Sequence, residues 1–135
     1  MRIERQNREP ELVGDRIERP VPTCRLTETV GAVKQRASET GIELCPVVNE
    51  AGVVLGLCAR TSLHARPMTP VEEVMKSGPM TIRPSMTVEA AVQMLDQYDK
   101  ETILVTSSDG KLIGLFRRHR MEQVEAEAVG DSIYG

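Results

Sequence analysis

Shifting this chain by 58 residues lays one half of it over the other without a gap. Thr23 falls on Thr81, Arg25 on Arg83, Thr29-Val30 on Thr87-Val88, Ala32 on Ala90 and Gln35 on Gln93. The register continues with Glu43 on Glu101, Val47 on Val105, Gly52 on Gly110, Gly56-Leu57 on Gly114-Leu115 and Arg60 on Arg118. Upstream, Val13, Asp15 and Ile17 fall on Val71, Glu73 and Met75. Chance does not readily place two glycine pairs and two Thr-Val pairs in one ungapped register. Two copies of one supersecondary unit are therefore expected. Half of such a chain cannot bury its own apolar face, so the copies must pack together.

Each unit reads alike. A short amphipathic lead, Val13 to Ile17 or Val71 to Met75, precedes an extended piece, Thr23 to Arg25 or Thr81 to Arg83. Pro84 disfavours the helical region at Arg83 and supports the extended reading there. Thr29 and Thr87 suit the N-cap of a helix. Val30, Val33 and Ala37 then recur at helical spacing, as do Val88, Ala91, Met94 and Leu95, so helices are expected to about Thr40 and Tyr98. Gly41 is placed as the residue that ends the first. Apolar runs of strand length follow, Leu44 to Val48 and Thr102 to Thr106. Turn signals come next, Asn49-Glu50-Ala51-Gly52 and Ser107-Ser108-Asp109-Gly110, and then return strands Val53 to Cys58 and Lys111 to Phe116. A closing helix is expected from about Arg118 to Ala128. The fold class is α+β: two β-α-β-β-α repeats packed through their sheets as a pseudo-two-fold pair. The expected divisions are an N-terminal arm (1–11), a first repeat (12–66), a second repeat (67–121) and an acidic helix end and tail (122–135).

Composition narrows the function. The 135 residues are 40 % hydrophobic and 27 % charged, ordinary globular usage, but only 2 % aromatic, so aliphatic side chains and methionine must build the core. The formal charge of −3 argues against a nucleic-acid partner, which a basic surface would attract. No stretch approaches the roughly 20 apolar residues of a membrane span, and the N-terminal arm lacks the apolar region of a signal peptide. Cys24, Cys45 and Cys58 form no C-x-x-C; their odd number fits reduced thiols in a cytoplasmic protein, buried as small hydrophobes. His64 and His119 are isolated, so no metal site is expected. Ser62 has no nucleophile motif around it. No phosphate-binding loop or paired carboxylates appear, and the chain is read as non-catalytic.

In order, and twice over, these segments resemble CBS domains. Val-Glu-Glu-Val-Met at 71–75 and Met-Thr-Ile-Arg-Pro-Ser-Met-Thr-Val-Glu-Ala-Ala at 80–91 look like the family's entry segment. Cys45-Pro46-Val47-Val48-Asn49, Gly52 and Val54-Leu55-Gly56-Leu57 look like its strand-turn-strand core. The resemblance covers residues 12 to 121 and implies a regulatory module, usually a homodimer, with a cleft on each side of the pair. Ligands of such clefts include adenine nucleotides and S-adenosylmethionine. By the same resemblance the cleft residues are Thr23, Cys24, Thr29, Pro46 and Val47 with Arg117 and Arg120 on one side, and Thr81 and Ile82 with Ala59 and Ser62 on the other.

The sequence departs from the family at the ribose contact. Adenosine-binding members end the last strand with Gly-h-h-Ser/Thr-x-x-Asp, where h is apolar and the carboxylate accepts from both ribose hydroxyls. Here Ala59 and Ser62 occupy the Ser/Thr and Asp positions of the first unit, and Arg117 and Arg120 those of the second. Glu43-Leu44 and Glu101-Thr102 stand where basic residues often meet phosphate. Two readings follow. Arg117 and Arg120, with Arg118 and His119, form an anion site for phosphate, polyphosphate or an acidic metabolite; or they form a solvated helix start paired with Glu122 and Glu125. The first makes the chain a ligand sensor, the second a structural dimerisation or protein-interaction module acting on a partner in trans.

Overall fold

The computed structural model describes residues 9–40 and 44–118. Gly41, Glu43, His119, Arg120, most of the expected closing helix, the acidic tail and residues 1–8 of the arm lie outside them. Two helices, α1 (Val30–Thr40) and α2 (Val88–Gln97), and six strands, β1 (Leu44–Val48), β2 (Val54–Ala59), β3 (Lys76–Ser77), β4 (Thr81–Ile82), β5 (Thr102–Thr106) and β6 (Leu112–Arg117), build the pair. They form two three-stranded sheets, β1-β2-β3 and β4-β5-β6.

Local chemistry explains each repeat. Thr29 Oγ1 accepts from the Ala32 N–H at 3.3 Å, and Thr87 Oγ1 from the Ala90 N–H at 3.1 Å, so both helices begin on their expected caps. Replacing Thr87 with alanine is expected to lower stability by about 1 kcal/mol, read from the urea midpoint at unchanged m-value. β1 and β5 are buried from their second residue to their last. That two-faced burial is why their sequences are continuous apolar runs rather than alternating ones. Both hairpins slip register at the same place, Val47/Val48 and Val105/Thr106, and turn through Gly52 and Gly110, each at φ +85°. Asn49 Oδ1 accepts from the Ala51 and Val53 N–H groups, and Ser107 Oγ from the Lys111 N–H, closing the two turns. The turns also bond to each other, Val54 N–H to Gly110 O and Leu112 N–H to Gly52 O, both at 3.0 Å.

The leads do not stay with their own repeats. Val13 donates to Met86 O at 2.8 Å, and its equivalent Val71 donates to Glu28 O at 2.8 Å. Gly14 donates to Pro84 O, and Glu72 to Leu26 O. Glu18 pairs with Leu115 of β6, whereas β3 pairs with β2 through Leu57↔Lys76. The side chains follow the backbone. Val13 and Ile17 enter the core of the second repeat with Ile82, Leu95 and Phe116, and Val71, Val74 and Met75 enter that of the first with Val30, Val33 and Leu63. Burying Val13 or Val71 stabilises the pair by roughly 1.5–3 kcal/mol each, so neither core is complete without the other half of the chain.

One element differs from expectation. The end of the first repeat is a 3-10 turn, Arg60–His64, not an α-helix. Pro67 keeps Arg66 out of the helical region, and the chain must turn back within a few residues to return Val71 to the same first core that holds Leu63. Among the described residues no helix is long and apolar enough to cross a membrane.

Candidate functional site

Where the two sheets face each other, a cavity of about 230 Å³ opens between β1–β2 and β5–β6. Leu44 and Leu57 form one wall, and Ile103, Leu104 and Leu115 the other. Ala59 ends β2 at its edge; with only a Cβ it leaves the opening clear. Met80, just before β4, and Pro79 contribute further apolar surface. Lys76 and Lys100 are both exposed and line the same cavity, with no carboxylate partner among the described residues. Glu101 also lines it, but its carboxylate accepts from Arg118 Nη2 at 3.0 Å. Apolar walls with two cations suit a small ligand having a flat or aliphatic part and an anionic group. The volume lies below the roughly 300–1,000 Å³ of pockets that enclose drug-sized ligands, so a nucleotide-sized molecule would protrude.

Two more open spaces flank this cleft. A groove of about 600 Å³ is lined by Thr61, Ser62, Ala65, Val74, Met75 and Lys76. A pocket of about 530 Å³ is lined by residues 15–20, Phe116 and Arg117. Lys76 borders both the cleft and the groove, because β3 runs between them.

The residues named from sequence divide among these places. Ala59 is in the cleft and Ser62 in the groove. Thr81 is half-buried; its hydroxyl accepts from Thr106 Oγ1 at 3.1 Å, and Thr106 in turn accepts from Arg83 Nη1 at 2.8 Å. Ile82 is buried in the second core. In the first repeat, Thr23 offers its carbonyl to Arg36 at 2.6 Å, Thr29 is spent on its cap, and Cys24, Pro46 and Val47 are buried. Arg117 forms an ion pair with Glu18, at 2.9 Å (Nε–Oε2) and 3.4 Å (Nη2–Oε1). Arg117 and Cys24 are thus not brought to one surface, and Arg120 lies outside the described residues.

The three cysteines are free and buried together in the first core. Cys45 and Cys58 are register partners across β1 and β2. Hydrogen bonding to the Cys45 and Cys58 thiols, with burial added, holds the Cys24 thiol well above its usual range. A thiol kept protonated is a poor nucleophile. Among the described residues no group of three or more His, Cys, Asp or Glu side chains is placed to hold a metal ion.

Lys76 and Lys100 escaped the sequence reading. Lys100 stands one residue before Glu101, at a position where the family pattern carries no signal. Lys76 directly follows the lead Val71 to Met75, and its position depends on which sheet that segment joins.

The CBS domain pattern matches residues 13–65 and, a second time, residues 71–122. The CBS domain pair of protein MJ0100, solved with 5′-methylthioadenosine and S-adenosyl-L-methionine, aligns at a TM-score of 0.77 and 16 % identity, over 89 % of this chain and 99 % of that one. The CBS domains of a transcriptional regulator from Streptococcus pneumoniae align at 0.76 and 22 % identity, over 83 % and 97 %. CBSX2, a CBS-pair protein from Arabidopsis thaliana solved with AMP, aligns at 0.76 and 20 % identity, over 87 % and 98 %. At these identities the likeness is one of fold. With both repeats matched and their sheets arranged as in those pairs, the chain belongs to the CBS domain family.

Proposed function

We propose that this chain is a non-catalytic regulatory module that binds a small anionic metabolite, an adenine nucleotide or a compound of similar chemistry, between its repeats. The supporting observation is the inter-sheet cavity with apolar walls and two lysines, Lys76 and Lys100, that have no carboxylate partner among the described residues. Similar pairs solved with AMP or with S-adenosyl-L-methionine lend support by fold. Without a carboxylate at Ser62, the ribose hydroxyls lose their usual acceptor, so affinity here rests on burial of the flat part and on the cations. A ligand bound across two sheets shifts a dimer's geometry only if it distinguishes the two arrangements.

The test is a thermal-shift series with AMP, ATP, S-adenosylmethionine, phosphate and pyrophosphate. A true ligand at a hundredfold excess over its dissociation constant stabilises the native state by about 2.7 kcal/mol. Lys76→Ala or Lys100→Ala is expected to weaken that ligand about tenfold, as loss of a charged hydrogen bond does.

A second reading, a dimerising or partner-docking module, is favoured by the missing ribose carboxylates and by the exposed apolar side chains of Leu12, Met68, Met80 and Tyr98. Absence of any shift, with a concentration-dependent dimer in sedimentation, would decide for it.

A further inference from the structure

The 58-residue offset places Glu18 on Lys76 and Arg117 on Ala59. Structure puts both sets at equivalent points: Lys76 is paired with Leu57 of β2, and Glu18 with Leu115 of β6. The chemistry at the two points is opposite. Ala59 itself has no long side chain to reach Lys76, and Lys76 is exposed without a carboxylate partner among the described residues. Beside Glu18 the Arg117 guanidinium reaches across and binds the carboxylate through Nε and Nη2, each nitrogen to its own oxygen. That two-pronged geometry is the one a guanidinium uses for a ligand carboxylate or phosphate. Arg117 therefore already holds an anion, supplied by residue 18 of the same chain.

We propose that the Glu18 carboxylate is a built-in occupant of the anion position beside Arg117, so that the chain takes an anionic ligand at Lys76 and not at Arg117. Ligand binding at Lys76 rests on the reading of the inter-sheet cleft as a ligand site; the occupancy of the Arg117 position by Glu18 does not. An incoming phosphate beside Arg117 must displace a tethered carboxylate or sit next to it. The tether raises the local concentration of the internal competitor far above that of a dilute metabolite, and like charges side by side repel. The backbone bonds that seat this segment, Glu18 N–H to Leu115 O at 2.8 Å and Leu115 N–H to Glu18 O at 3.1 Å, do not depend on the Glu18 side chain. Neutralising the carboxylate should free the guanidinium without undocking the lead.

The experiment is calorimetric titration of the full chain with inorganic pyrophosphate. Wild type is expected to take one equivalent, Glu18→Gln two, and Glu18→Gln with Arg117→Gln one again. In the converse graft, Ala59→Arg with Lys76→Glu, the wild-type equivalent should be lost. Circular dichroism and the melting transition check folding of each variant, and should Glu18→Gln fail to fold, Glu18→Ala replaces it. Two equivalents in wild type, or no gain on neutralising Glu18, overturns the proposal. No binding in wild type but one Arg117-dependent equivalent in Glu18→Gln would uphold the occupied anion position while removing the reading of the cleft. No binding in either chain would remove both.

Discussion

Replacing Phe116 with alanine is expected to cost about 3–5 kcal/mol of stability. Phe116 is the one phenylalanine and is 1 % exposed. It sits opposite Ile103 across β5 and β6 and shares the second core with Val13, Ile82, Val88 and Leu95. The 58-residue offset gives a reason to expect little relaxation. It lays Cys24, Cys45 and Cys58 over Ile82, Ile103 and Phe116. The first core is thus assembled from three small thiols where the second has three large hydrocarbons, so most of the apolar volume at these positions lies in the second repeat. Its neighbours come from strands, the exchanged lead and helix α2, all held by backbone hydrogen bonds, which limits their collapse into a benzyl-sized hole. For a domain of this size the loss should lower the melting temperature by on the order of 10–20 °C. Thermal and urea unfolding would check it. A cost near 1 kcal/mol would mean that the second core repacks freely and that the exchanged lead is not rigidly seated.

Much of the fold was legible because its signals are local. The apolar runs 44–48 and 102–106 are the two central strands, the threonines at 29 and 87 cap the helices, and the glycines at 52 and 110 turn the hairpins. The lead exchange was not legible, since Val13 and Val71 have the same pattern and either would suit either core. Only the route of the linker selects the partner. The 3-10 turn at Arg60–His64 differs from the expected helix because Pro67 and the short return to Val71 leave no room to extend it, although residues 60–64 themselves do not forbid a helix. The site divided along the same line. Ala59 was read from a motif and lies in the cleft. Arg117 was read from a motif too, but its carboxylate is 99 residues away in sequence and reaches it only through the exchange. Lys76 becomes a cleft residue by that same crossing.

Gly114→Val tests whether that crossing is as tight as its glycines require, and it is expected to destabilise the chain by about 1–3 kcal/mol. A Cβ at residue 114 would lie 2.9 Å from Glu18 O and 3.2 Å from Ile17 Cβ. The first is backbone and cannot swing aside. At the equivalent Gly56 a Cβ would meet Met75 Sδ at 2.5 Å and Lys76 O at 3.0 Å, so the same close backbone approach is made in the first repeat. A glycine-to-alanine replacement without a clash stabilises by about 0.4–1 kcal/mol through the unfolded chain, so a net loss at 114 requires a steric cause. The chain can meet valine there in two ways: it can strain β6 in place, or it can release the lead. Release would expose Val13, at roughly 1.5–3 kcal/mol, together with the half-buried Ile17, so strain in place is the cheaper response. Limited trypsin digestion separates the two. With the lead seated, cleavage after Arg16 should stay near the wild-type rate while stability falls. Fast cleavage there would show that the lead detaches, and Glu18 would then leave Arg117 with it. A chain unaffected in both respects would mean that the glycine pair, the firmest match between the two repeats, is not there for the close approach of the exchanged strand.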